Sequence, residues 1–373
     1  MLSVMQTIKK MMLDALQALK RNFSLNTLIE FLPILSFVPP LLILYSLYPW
    51  SFEQTYHGRT FFLFFLWLVS LEIILSWEIL QKNKVNKLVS IRTVSLILTL
   101  LLPTIYVIVA NYFGLNQIIK NLAEPIINPE DPFREHHASL VPLSIEYLIF
   151  AAFFCLIILL AYGTNGLMNF SIPMLFLTLI GVLFMIDNLY PYGEITPLQI
   201  PVPATAALAA SVLNLMGYQT SISTITSPLY GSMPRLVAWD PKNPLRIAVF
   251  GIAWPCAGVE SLLIYTVTIL LFLKKTAIPW KHRIVYFAIG AVVTYFINIL
   301  RIVTLYLLAM DYGYPSPQAQ RFHDYYGMLY SITWIISYPL IIMGSQALWR
   351  KIKNWKTSMK EGVNLPTQTK LPK

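Results

Sequence analysis

The chain has 373 residues, 57% of them hydrophobic and only 12% charged, with a formal net charge of +10. Soluble domains carry about 25% charged residues, so a soluble globular protein is excluded, and a mean hydropathy of +0.63 indicates an all-α polytopic membrane protein. The basic excess then belongs to cytoplasmic loops and not to a nucleic-acid surface, and two cysteines are too few for a disulfide framework.

Residues 1–22, "MLSVMQTIKKMMLDALQALKRN", are too polar for the apolar core of a signal peptide. Met5, Ile8, Met12, Ala15, Leu16 and Leu19 share one helical face, with Lys9, Lys10, Asp14, Gln17 and Lys20 opposite. This predicts an amphipathic helix lying on the membrane surface. A spanning helix needs about 20 mostly apolar residues. On that criterion eight spans are predicted, at roughly 29–49, 60–80, 90–112, 143–163, 167–189, 255–273, 284–309 and 326–348. Cys155, inside "AAFFCLIILL", reads as a small buried hydrophobe.

Charge sets the orientation. With the N-terminus inside, 19 of the 27 basic residues fall in inner segments and 7 in outer ones; the last is Arg301, within a span. Both termini are therefore expected in the cytoplasm. Two outer segments are long, about 113–142 and 190–254. The first contains His136 and His137 near several acids, and a solvated loop is the plainer reading than a metal site. The second contains the apolar run 204–217, too short to span and expected to be interfacial or re-entrant. It continues through "YQTSISTITS", "RLVAWD" and "LRIAVFGIAW", whose β-type residues predict a small β-hairpin cap.

The sequence "WPCAGVESLL" opens the sixth span. If the helix begins at Pro255, where proline costs nothing, Cys256 lies in its first turn and the helix N-terminus favours its thiolate. Gly258 lets another backbone approach, Glu260 falls one turn below Cys256, and Ser261 one turn below Gly258. In the seventh span Gly290, Thr294, Asn298 and Arg301 form one polar stripe that must face protein. An arginine inside a span is a functional hypothesis by default. Arg301 lies about two turns from the outer end, within reach of the depth of Cys256. His323, in "RFHDYYGML", stands at the mouth of the last span. A thiol, a general base and a fixed cation at one depth suit nucleophilic acyl transfer. The alternatives are a packing cysteine, an arginine paired with Glu260 or Asp187, and a solvated His323–Asp324 pair. In function they correspond to a transporter, or to a lipid-linked glycosyl or acyl transferase, in which Arg301 and Glu260 are structural or ion-path residues.

The segments "CAGVES", "NILR" and "HDYYG" resemble the exosortase/archaeosortase family of membrane-embedded cysteine transpeptidases. The resemblance runs from about 196 to 345 and carries over to Cys256, Gly258, Ser261, Asn298, Arg301, His323 and Gly327. It implies Cys256, Arg301 and His323 as catalytic residues, and Gly258, Ser261, Asn298 and Gly327 as supporting ones. It also implies substrate proteins ending in a short motif, a spanning helix and a basic tail, cut near the motif and passed to a lipid or glycan acceptor. One thiol, one histidine and one arginine do not make a metal site, and no cofactor is expected. The predicted organisation is a surface helix over 1–22, a five-helix membrane region over 23–190, a catalytic membrane core over 191–349 and a basic cytoplasmic tail over 350–373. The active site is then extracytoplasmic, in a multi-pass protein of the cell membrane.

Overall fold

The computed structural model describes residues 34–54, 57–82, 91–129, 131, 133–190, 199–227, 231–274, 276 and 278–363. The predicted surface helix at 1–22 and the tail beyond Val363 lie outside the described residues. The helices of the first half are α1 (Val38–Leu47), α2 (Thr60–Lys82), α3 (Ile91–Tyr112), α4 (Leu115–Ala123), α5 (Arg134–Asn169) and α6 (Ser171–Leu189). Next come α7 (Pro201–Leu215) and the strands β1 (Gln219–Ser227), β2 (Gly231–Asp240) and β3 (Asn243–Gly251). A 3₁₀ turn at Trp254–Ala257 leads into α8 (Val259–Lys274) and α9 (Trp280–Tyr312). The short α10 (Pro317–Arg321), a π turn at Phe322–Tyr326 and α11 (Gly327–Val363) complete the chain.

Five stretches of these helices are long and apolar enough to cross a bilayer: Ser95–Tyr112 in α3, all of α5, all of α6, all of α9, and Leu329–Trp349 in α11. Eight spans are thus not confirmed among the described residues. The described helix of the first expected span is α1, of ten residues. In α2 the described apolar stretch is Thr60–Ile73. The sixth span, expected to start at Pro255, begins only at Val259, because Gly258 adopts φ +83° and ends the preceding turn. That leaves α8 with 16 residues, about 24 Å, against a hydrocarbon core of about 30 Å.

The segment 113–142, expected to lie outside, is largely helical among its described residues. It holds α4 and the first turns of α5, which starts at Arg134 instead of 143. The reading of His136 and His137 as part of a solvated loop fails for His137. Its Nδ1 lies 2.7 Å from the Asp131 carboxylate, and both residues are buried. The other Asp131 oxygen accepts from the Phe133 amide at 2.8 Å, so the pair organises the start of α5. Helix α5 breaks at Gly163, with φ 70° and ψ −165°, where the fourth span was expected to end. The fifth span starts later than expected, at Ser171. Cys155 is half-buried instead of buried.

Helices α1, α2, α3, α5 and α6 share a core rich in phenylalanine, to which α8 adds Val267 and Leu271. Phe37 packs edge-on against Phe65, Phe150 and Phe154, and Phe62 stacks on Tyr147 at 4.0 Å. At the end of α8 farthest from Cys256, Lys274 donates to the carbonyls of Met168 and Asn169 at 2.8 and 2.7 Å and pairs with buried Glu72 at 3.3 Å. It satisfies carbonyls that the end of α5 would otherwise leave open.

The predicted hairpin cap is a three-stranded antiparallel sheet in the order β1-β2-β3. Alternation along the strands turns Leu236, Ala238 and Ala248 inward. They meet the small residues of α7, the former 204–217 run, whose Val202, Ala206, Ala209, Ala210 and Leu213 recur at helical spacing and are buried. The sheet and α7 rest on α9: Tyr306 belongs to their common core and its hydroxyl donates to the Leu236 carbonyl at 2.8 Å.

Candidate active site

The polar stripe of α9 faces protein, as its composition required. Thr294 and Asn298 are 0% and 1% exposed. A methyl group on Gly290 would collide with the Tyr265 hydroxyl. Thr294 Oγ1 accepts from the Trp334 indole at 3.1 Å, which ties α9 to α11.

Cys256 is half-buried in the 3₁₀ turn after β3, where its amide donates to the Ala253 carbonyl at 3.0 Å. This corrects the placement in the first turn of a helix. The α-helix starts after Gly258, with the Leu262 amide bonding the Gly258 carbonyl at 2.9 Å. With a left-handed residue between them, Cys256 and Glu260 no longer sit one helical turn apart on a common face. Asn298 Nδ2 donates to the Cys256 carbonyl at 2.8 Å. Gly258 is required twice here. Its φ of +83° favours glycine, and a Cβ would lie 2.9 Å from Asn298 Cγ. The Cys-x-Gly spacing and the distant Asn298 are thus one interlocking unit.

Arg301 follows Asn298 by one turn of α9, and three turns, not two, separate it from the end of the helix at Tyr312. It is committed to the last helix. Arg301 Nη2 donates to the His323 carbonyl at 3.0 Å, and a Cβ on Gly327 would stand 2.6 Å from Arg301 Nε and 2.9 Å from the Phe322 carbonyl. Gly327 therefore leaves the space that the arginine occupies. His323 lies in the π turn Phe322–Tyr326, a local geometry frequent at functional sites. Ser261 Oγ donates to Ser331 Oγ at 3.1 Å, joining α8 to α11 below the site.

Cys256, Arg301 and His323 line one cavity of about 200 Å³. Its walls are mostly apolar and aromatic, from Phe250, Ile302, Leu305, Tyr306, Tyr314 and Phe322. Gly251 and Ile252, where β3 ends, also line it, so the sheet roofs the site. The cavity brings a cysteine, a histidine and an arginine to one largely apolar space, where electrostatic interactions are stronger than in water.

Sequence reasoning missed the polar residues that anchor the turn. Asp187, considered there as a partner for Arg301, serves two other residues. Its Oδ1 accepts from Trp254 Nε1 and its Oδ2 from His57 Nε2, each at 2.9 Å. Next to His57, the Gly58 carbonyl accepts from Tyr147 Oη at 2.8 Å, and Arg59 grips Glu146 with two bonds of 2.8 and 3.0 Å. The available signal was the lone acid near the end of an apolar span, which demands a partner.

The family model described as transmembrane exosortase (Exosortase_EpsH) matches residues 50–338. No curated protein matches the chain, and no solved structure does. The match covers most of the chain, including every residue of the cavity, and the chain belongs to the transmembrane exosortase family.

Proposed function

We propose that the chain is a membrane-embedded cysteine transpeptidase that cleaves C-terminal sorting signals of exported proteins and transfers the new C-terminus to a lipid or glycan acceptor. The observation that carries this reading is the convergence of Cys256, Arg301 and His323 on one cavity. They come from three separate elements: the turn before α8, the middle of α9 and the π turn before α11.

The residues divide the work as follows. His323 takes the proton from Cys256, and the thiolate attacks the scissile carbonyl carbon. Arg301, planar and always charged, holds the developing oxyanion. As the tetrahedral intermediate collapses, the C–N bond breaks and His323 returns its proton to the leaving amine. A thioester on Cys256 remains; the acceptor's nucleophile attacks it as His323, now neutral, takes the acceptor's proton, and the C–S bond breaks to release the thiolate. Gly258, Asn298 and Gly327 hold these groups in place, and Ser261 joins the helices below them. Of the 27 basic residues, 19 fall in segments assigned to the cytoplasm, which supports an extracytoplasmic site with both termini inside.

The test is the mobility shift of a tailed substrate protein in membranes that carry the enzyme. Cys256→Ala removes the nucleophile, and processing is expected to fall to background with the protein inserted at its normal level. Full processing by that variant would overturn the cysteine mechanism.

A further inference from the structure

The turn that carries Cys256 is short, and a single 3₁₀ turn has little stiffness of its own. Two side chains from different helices tether it. Asn298 of α9 holds the Cys256 carbonyl. Asp187, in the last turn of α6, holds the Trp254 indole two residues earlier. Trp254 is 2% exposed and lies in the core that joins the turn to α7 and α9.

Asp187 is itself positioned. Its second oxygen meets His57, whose side chain is 8% exposed against 17% for Asp187. His57 rests on Phe184, one turn earlier on α6, with ring centroids 5.0 Å apart. It adopts φ +50°, a left-handed conformation that few non-glycine residues take and that persists only where the surroundings enforce it. Those surroundings are present: the neighbouring Gly58 carbonyl and Arg59 are bound by Tyr147 and Glu146 of α5.

We infer that Asp187 is a positioning residue for Cys256, acting through Trp254 and braced by His57. The proposal rests on the reading of Cys256 as the nucleophile. It gives the first half of the chain a part in the reaction: α6 and the segment before α2 set where the thiol stands. Acyl transfer is sensitive to such placement, because a shift of about 1 Å can cost 10²-fold.

The experiment uses the full chain in membranes, with the tailed substrate, and compares Trp254→Phe, Asp187→Ala and Asp187→Asn. Trp254→Phe keeps an aromatic ring in the core but removes the donor together with the five-membered ring that carries it, so the double variant below separates the lost bond from the lost volume. The expected result is a fall of about tenfold in kcat, as for loss of a hydrogen bond to a charged group, with KM little changed and a changed rate of Cys256 alkylation by a maleimide. Asp187→Ala should fall at least as far. Asp187→Asn should recover part of the loss, since its carbonyl still accepts from Trp254 and a change of His57 tautomer preserves the second bond. Because the two residues act as one unit, Asp187→Ala added to Trp254→Phe should cost little more. If Asp187→Ala fails to accumulate, Trp254→Phe and Asp187→Asn still decide the matter. Processing within twofold of the parent in Trp254→Phe, or fully additive losses in the double variant, would overturn the inference. Cys256→Ala is run in parallel. If it processes substrate, the reading of the site fails; if it is inactive while Trp254→Phe is fully active, only the role of Asp187 fails.

Discussion

The two halves of the bundle are held together by different means. The first half, α1 to α6, is built around large aromatic side chains: Phe37, Phe62, Phe65, Phe150 and Phe154 are each at most 1% exposed and touch one another. The second half, from the 3₁₀ turn to α11, has apolar cores of its own and adds glycines fitted to single side chains around the site. Gly258, Gly290 and Gly327 each make room for a specific polar or aromatic neighbour: Asn298, Tyr265 and Arg301. Aromatic packing tolerates small displacements, since its attraction is spread over many atom pairs. A glycine fitted to one polar group does not, since added volume moves that group directly. The bundle thus separates bulk stability from positional accuracy, and the latter is concentrated around the cavity.

The sharpest break of this comparison is at the chemistry itself. His323→Ala leaves the helices and the glycine contacts intact and removes only the imidazole. Processing is expected to fall by about 10²–10⁴-fold, the usual value of general acid–base catalysis, with normal abundance in the membrane. A tailed substrate followed over time gives the rate. A variant that processes normally would show that His323 serves structure alone.

Gly327→Ala tests accuracy without touching a reacting group. The new methyl meets Arg301 Nε and the Phe322 carbonyl, so either the arginine or the π turn must shift. The expected loss in processing reaches about 100-fold, with little change in thermal stability in detergent. An equally large fall in stability would place Gly327 with the packing residues and blur the division.

These residues also show what the sequence could convey. Cys256 and Arg301 stand out in the sequence because a polar residue in an apolar segment needs a reason, His323 because it stands at the mouth of a span, and the strands were legible from their β-branched alternation. Gly258 was misread as a helical residue because nothing local distinguishes a glycine inside a helix from one that ends the preceding turn; the deciding contact, Asn298, is 40 positions away. The π turn at His323 has no sequence signature of its own. Asp131 and Asp187 were visible as acids; Asp131 meets His137 only six residues on, whereas Trp254, the partner of Asp187, follows only from how the helices pack.

Phe154→Ala addresses the other half. Phe154 is fully buried and its ring meets those of Phe37, Phe65 and Phe170 at 5.0 to 6.0 Å. Truncating a core phenylalanine costs about 3–5 kcal/mol, so a clear drop in melting temperature is expected. The rate per folded molecule, measured well below that temperature, should be unchanged. A matching loss of rate would mean that the aromatic core also sets the geometry of the cavity.

Ser261→Ala is expected to have the smallest effect, and it locates the lower edge of the accurate region. Ser261 bonds Ser331 across α8 and α11 at 3.1 Å. Such interhelical bonds average only about 0.6 kcal/mol within membranes, because the unfolded helices also find partners. Ser331 is 4% exposed, yet its hydroxyl can turn back to a carbonyl of its own helix, as serines in helices commonly do. No buried group is therefore left without a bond, and the volume removed is a single oxygen. Helices α8 and α11 should stay in register, since Tyr265, Ile269, Ile335 and Tyr338 continue to pack around them. Processing should fall by less than about threefold, the rate equivalent of the bond's free energy, and thermal stability should barely move. A loss of tenfold or more would mean that this contact helps to hold Arg301 and Cys256 at their separation, and that the accurate region reaches a full turn deeper than the cavity.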